Sequence, residues 1–119
     1  MCATLALGAA NIRVTPLEML FAYRRLALQR NLPLIVLNGL KAATEYGTAR
    51  LARPSGVAVA GKTGTALDMA SGQAHAWFVG YAPADSPRIV LVVFLEQGTG
   101  GRDAAPIARE LFQVALPAP

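Results

Sequence analysis

Apolar positions recur along this chain with two different periods, and the change from one to the other divides it into three parts. The first part is helical. Thr15-Pro16-Leu17-Glu18 has a Thr to cap, a Pro for the first helical position and a Glu three residues after the cap. Val14 and Met19 stand where a hydrophobic staple would lie. The spacing predicts a helix to about Gln29, with Leu17, Leu20, Phe21 and Leu28 on its apolar face, ending before Asn31-Leu-Pro33. Residues 34–37 are a short apolar run of either type. Asn38 suits the cap of a second helix over 40–46, with Gly47 as its left-handed terminator. Arg53-Pro54-Ser55-Gly56 reads as a loop.

The second part has strand character. Residues 57–66 open with small and β-branched side chains, which suit a strand pressed between packed layers. Residues 67–73, with Ser71-Gly72, read as a hairpin connection to a second strand over 74–82. Pro83 to Pro87 turns the chain into a third strand over 88–96, apolar at every position of 89–95. Continuous apolar character, in place of alternation, means that both faces of the sheet are covered. In the third part Gly98-Thr-Gly-Gly101 is a flexible loop. Asp103 then caps a last helix with Pro106 in its first turn and a buried stripe of Ile107, Leu111 and Val114. The expected fold class is α/β of the α+β kind: a three-stranded antiparallel meander packed between helices.

Composition narrows the classes of function. The 119 residues are 54% hydrophobic and 15% charged, so the sheet needs thorough cover or a neighbour. The longest apolar run, 89–95, is too short to span a bilayer. The first ten residues are apolar without a basic leading region, so no signal peptide is expected. A single cysteine, Cys2, excludes an internal disulfide and a cysteine-built metal site. The formal charge of +4 is scattered, with Arg24-Arg25 the one adjacent basic pair, which argues against nucleic acid as a partner. No cofactor or metal is expected.

The chemistry concentrates in residues 61–65. One Lys, two Thr and two Gly stand together there, with the glycines marking a place where something approaches the backbone closely. An ammonium beside hydroxyls and bare N–H groups suits a carboxylate or a developing oxyanion. Gly56-x-x-x-x-Gly61-Lys62-Thr63 also matches the phosphate-binding loop of nucleotide hydrolases. That motif needs a loop between its glycines and a helix after the Lys. Here strand formers fill 57–60, and Gly64 stands where the helix would start. As a further alternative, Lys62 is simply a solvated edge lysine that blocks strand pairing.

The flanks of this stretch carry a resemblance. Four blocks bear it: Val14-Thr-Pro-Leu-Glu-Met-Leu-Phe-Ala-Tyr23; Gly39-Leu40 with Gly47-Thr-Ala49; Val59-Ala-Gly-Lys-Thr-Gly-Thr-Ala66; and His75-Ala-Trp-Phe-Val-Gly-Tyr-Ala-Pro83. Gly98 to Gly101 before Ala104-Ala-Pro106 adds a fifth. In order and spacing they resemble the C-terminal part of a penicillin-binding protein transpeptidase domain, of the penicillin-recognising serine enzymes. The resemblance implies peptidoglycan cross-linking through a serine acyl-enzyme on the outer side of the bacterial cytoplasmic membrane. The partners it implies are a peptidoglycan stem peptide, β-lactams, other cell-wall synthesis proteins and a membrane-anchored upstream part of the same protein. It also implies that Lys62, Thr63, Gly64 and Thr65 bind substrate, with Lys62 tuning proton transfer and the Thr65 backbone N–H donating to the oxyanion. Strict alternation puts Thr63 and Thr65 on one sheet face and Lys62 on the other, so they can share a ligand only at an edge strand.

One departure is plain. The family's nucleophile lies in Ser-x-x-Lys, followed by Ser-x-Asn, and neither pattern starts at Ser55, Ser71 or Ser86, the three serines present. The chain, residues 1–119, is therefore expected to be a C-terminal piece of a transpeptidase domain that does not acylate alone. The rivals are a non-catalytic relative that binds wall peptides or partner proteins, and a serine β-lactamase or carboxypeptidase, which shares the strand chemistry. His75 reads as structural, and Trp77, Phe78 and Tyr81 as core. Gly98 to Gly101 is either a cleft border or a plain turn.

Overall fold

The strand-forming middle of the chain folds as the expected meander. In the computed structural model, which describes residues 3–4, 13–29 and 31–116, strands β3 (Ala60–Leu67), β4 (Ala74–Ala82) and β5 (Ile89–Leu95) pair antiparallel in the order β3-β4-β5. They follow a short two-stranded pair, β1 (Ala3–Thr4) with β2 (Arg13–Val14). Cys2 and most of the first ten residues lie outside the described residues. Among the described residues no helix is long and apolar enough to cross a membrane.

Helices α1 (Pro16–Leu28) and α2 (Leu34–Glu45) precede the sheet, and α3 (Ala105–Ala115) follows it. The start of α1 is a complete capping box. Glu18 N–H donates to Thr15 Oγ1 at 3.1 Å, and Thr15 N–H donates to the Glu18 carboxylate at 2.8 Å. Together they satisfy two of the free donors at a helix start. The staple residues Val14 and Met19 both pack against the pair Ala66 and Trp77.

The sheet is covered on both faces, as its unbroken apolar strand requires. On one face Ala76, Phe78, Ala82, Leu91 and Val93 meet Ala104, Ala105, Ala108 and Phe112, with the Phe78 and Phe112 rings edge to face at 6.1 Å. On the other face Trp77 and Tyr81 meet Val14, Met19, Tyr23 and Leu26 of the α1 region, and Leu37 and Leu40 of α2. Trp77, Phe78 and Tyr81 are core residues, each under 5% exposed.

Five expectations for the helices are corrected. On α1 the residues turned to the sheet are Met19, Tyr23, Leu26 and Ala27, whereas Leu17, Phe21 and Leu28 are exposed. On α3 the buried stripe is Ala105, Ala108 and Phe112, whereas Ile107, Leu111 and Val114 face outward. In both helices the neighbouring stripe also had the right period, and small alanines let α3 lie close to the sheet. The second helix starts at Leu34, not after Asn38, and Asp103 does not cap α3 directly: a π-helical turn, Gly100–Ala104, intervenes. Gly47 is required for space, not for a left-handed backbone. A Cβ there would lie 2.9 Å from the Ala43 backbone, because the chain leaves α2 folded tightly against it.

Candidate active site

Strand β3 is anchored just ahead of its start by a side chain and along its whole length by backbone pairing. Thr44 of α2, itself buried, donates from its hydroxyl to the Val59 carbonyl just ahead of the strand. Residues 60–67 then pair with β4 through Gly61↔Gly80, Thr63↔Phe78 and Thr65↔Ala76. No described strand pairs with the other side of β3, so it is an edge strand. Strand structure also runs unbroken through Lys62 and Thr63 to Leu67. The phosphate-loop reading, which needs a helix there, is thereby excluded.

The register puts Thr63 and Thr65 on the face of Phe78 and Ala76, and Lys62 on the face of Val79. The three nevertheless line one cleft of about 530 Å³ along the open margin of the strand, together with Gly64. Lys62 reaches round the edge: its Nζ donates to the Thr63 carbonyl at 2.7 Å. Thr63 Oγ1, almost fully buried, bonds Thr48 Oγ1 at 2.9 Å. Thr65 Oγ1 accepts the Gly100 N–H at 3.1 Å, which leaves its own proton free to donate.

The Gly98–Gly101 loop is a border of this cleft, with Thr99 and Gly101 in its wall. Gly100 is the point of closest approach. A Cβ there would lie 2.7–2.8 Å from Gly64 N, Gly64 O and Trp77 O, so only glycine lets the loop lie on the strand. Asp103 fastens the loop, accepting the Thr99 N–H at 2.7 Å and pairing with Arg102 at 3.3 Å. The Thr99 N–H first, and Arg102 after it, hold the Asp103 carboxyl below its ordinary value.

Among the described residues the walls of the cleft carry Lys62, Arg50 and Arg102, the last paired with Asp103, and no carboxylate. Such a cleft attracts anions, and its field falls off with salt. The sequence pattern drew attention to Lys62, Thr63, Gly64 and Thr65, and the structure brings all four together. The pattern gave no role to Arg50 or Arg102, and named Thr48 and Thr99 only within longer blocks, since their places depend on contacts far apart along the chain. None of the three serines lines the cleft.

His75 is a structural pin. Its Nδ1 lies 2.7 Å from the Glu96 carbonyl and its Nε2 3.7 Å from Asp68, which joins the hairpin to the end of β5. Asp68 in turn receives the Ala70 N–H and the Ser71 hydroxyl, and these bonds keep its carboxyl below the usual range. Among the described residues no group of His, Cys, Asp and Glu is arranged to hold a metal ion.

Residues 2–113 match the family model of the penicillin binding protein transpeptidase domain. The chain belongs to that family. It is 38% identical over 89 residues to the peptidoglycan D,D-transpeptidase PbpA of Mycolicibacterium smegmatis, which covers 67% of this chain and 18% of that protein. To the peptidoglycan D,D-transpeptidase MrdA of Haemophilus influenzae it is 49% identical over 43 residues, 35% of this chain and 7% of the relative. Among solved structures, the transpeptidase domain of the FtsI4 D,D-transpeptidase from Legionella pneumophila superposes with a TM-score of 0.82 at 34% identity. That match covers 90% of this chain and 48% of that one. Penicillin-binding protein A of M. tuberculosis, solved as an imipenem acyl-enzyme, matches at 33% identity with a TM-score of 0.58, over 68% of this chain and 18% of that one. The chain thus spans less than a fifth of the curated relatives and about half of the Legionella domain. These neighbours share the mixed fold, with its antiparallel sheet between helices.

Proposed function

We propose that this transpeptidase-family chain supplies the substrate-reading strand of a peptidoglycan D,D-transpeptidase, a penicillin-binding protein whose nucleophilic serine comes from residues outside the 119. The carrying observation is the convergence of Lys62, Thr63 and Thr65 on one cleft at an unpaired strand margin. The relatives' activity and the bound imipenem of a neighbour support the same reading.

In this reading the C-terminal carboxylate of a stem peptide, or the carboxylate of a β-lactam, lies against the Lys62 ammonium and the Thr63 and Thr65 hydroxyls. Charge-assisted hydrogen bonds make this the principal anchor. The peptide backbone runs along β3 as an added strand, which the unpaired margin and Gly64 permit. The serine oxygen then attacks the carbonyl of the penultimate D-Ala, with the Thr65 N–H as one oxyanion donor. The terminal D-Ala leaves as its amine, giving an ester. An amine from a second stem peptide displaces the serine and makes the cross-link. Lys62 holds the carboxylate and, through its charge, favours proton movement towards the leaving group. The complete protein works on the outer face of the cytoplasmic membrane with other cell-wall synthesis proteins, and the 119 residues alone do not acylate.

The test is acylation of the complete protein by a fluorescent penicillin. Lys62→Ala is expected to slow it by about a hundredfold or more, as loss of a preorganised charge contact does. Acylation at the unaltered rate would remove Lys62 from the site. A wild-type protein that binds stem peptides but never acylates would support the non-catalytic alternative.

A further inference from the structure

We infer that Thr48 is a positioning residue that sets the direction of the Thr63 hydroxyl, an inference that rests on the carboxylate-reading role proposed above. Thr63 is 6% exposed, and its hydroxyl meets Thr48 Oγ1 at 2.9 Å. Thr48, by contrast, is exposed and lines the same cleft. Thr63 lines that cleft too, and Thr48 is the side chain to which its hydroxyl is bonded there.

Thr48 is itself fixed from two sides. The chain around it is a tight exit from α2, with the Gly47 N–H bonded to the Ala42 carbonyl, Ala49 N–H to the Ala43 carbonyl and Arg50 N–H to the Gly47 carbonyl. From above, Gly101 sits on the Thr48 carbonyl: a Cβ at Gly101 would lie 2.7 Å from that oxygen. Thr48 therefore joins the end of α2, the middle of β3 and the glycine loop at one point.

Counting protons shows what the link does. Each hydroxyl has one proton to donate. If Thr63 donates to Thr48, its proton is spent and it offers the cleft only lone pairs. If Thr48 donates to Thr63, the Thr63 proton is free for an anion. A carboxylate in the cleft selects the second arrangement, and a chain of O–H donors ending on an anion polarises along its length. Thr48 then acts on the carboxylate through Thr63 without touching the reacting atoms.

The experiment uses the complete protein and two forms of one β-lactam, with the carboxylate free and as its methyl ester. Thr48→Val keeps the shape and removes the donor. It is expected to lower the second-order acylation rate about tenfold for the free acid, the size of one lost hydrogen bond, and less than twofold for the ester. Thr48→Ser is expected to restore the free-acid rate. In a Thr63→Val background, Thr48→Val is expected to add less than twofold, since both act through one hydroxyl. Thr48→Ala removes the same hydroxyl and stands in if Val lowers the melting temperature. Equal losses on acid and ester, an unchanged rate, failure of Ser to rescue, or additive losses with Thr63→Val would each overturn the inference. A wild-type protein acylated equally well by both forms would fail earlier: it would refute carboxylate reading itself, and this inference with it.

Discussion

The two faces of the sheet are finished to different degrees. Towards α3, small side chains bring helix and sheet together, and Phe112 is wholly buried against Phe78. Towards α1, no residue of the helix is fully buried, and Leu17, Phe21 and Leu28 are more than half exposed. The closed face is also the one that carries Thr63, Thr65 and the glycine loop. Close packing is thus concentrated on the face that carries the two hydroxyls, where the proposed reading needs them aimed.

The largest expected effect separates the two faces directly. Phe112→Ala should cost about 3–5 kcal/mol, as truncation of a fully buried aromatic does. Phe21→Ala, at a side chain already 54% exposed, should cost about 1 kcal/mol or less. Denaturant unfolding of the complete protein with each variant measures both. Equal costs would erase the contrast, and would mean that residues beyond this chain cover α1.

A paired glycine substitution sharpens the contrast at the next level. Gly100→Ala forces a methyl into backbone atoms of Gly64 and Trp77, which cannot rotate away. The loop must lift, and the Thr65 hydroxyl loses its contact with the Gly100 N–H. A loss of about 1–3 kcal/mol is expected, with slower acylation. Gly39 lies within α2, and a Cβ there meets nothing within 4 Å. Gly39→Ala should therefore stabilise by about 0.5–1 kcal/mol, the ordinary helical preference. Thermal unfolding of the two variants shows the signs. A stable, active Gly100→Ala protein would mean that the loop does not rest on β3.

What could be read from the sequence follows the range of the interaction. The capping box of α1 is complete within four residues, and β4 begins and ends where turn residues bound its apolar run. An edge position for β3 was expected because the resemblance implies one ligand for Lys62 and the two threonines, which strict alternation allows only there. Helix facing was not legible. A 3.6-residue period reveals an apolar stripe, but α1 and α3 each carry two, and only the sheet chooses between them. For α3 the choice fell on Ala105 and Ala108, whose small size mattered more than the greater hydrophobicity of Ile107 and Leu111. The side-chain contacts across the cleft were hidden for the same reason, although the glycine loop stood out as a candidate border. Thr48 lies fifteen residues before Thr63, and Thr65 lies thirty-five before Gly100, and nothing local announces either bond.

The smallest effect lies in the loop that closes the aiming face. Asp103 has its carboxyl lowered from 3.8 by the Thr99 N–H and then by Arg102. A group whose pKa is lower folded than unfolded stabilises fully above the unfolded value and loses that contribution as pH falls through the folded one. The fastening of the loop should therefore be constant above about pH 4 and fade below it. Amide exchange, corrected for its intrinsic pH dependence, should show protection at Thr99 and Gly100 falling below pH 4 while that of β4 holds. In Asp103→Asn the protection should already be low at pH 7 and insensitive to acid, because the acceptor is weaker and no longer titrates. Protection that declined in step across the loop and β4 would assign the change to the whole sheet and not to this carboxylate. Since β4 belongs to the closed core and the loop is held on it by few bonds, a difference between them is what a locally fastened loop requires.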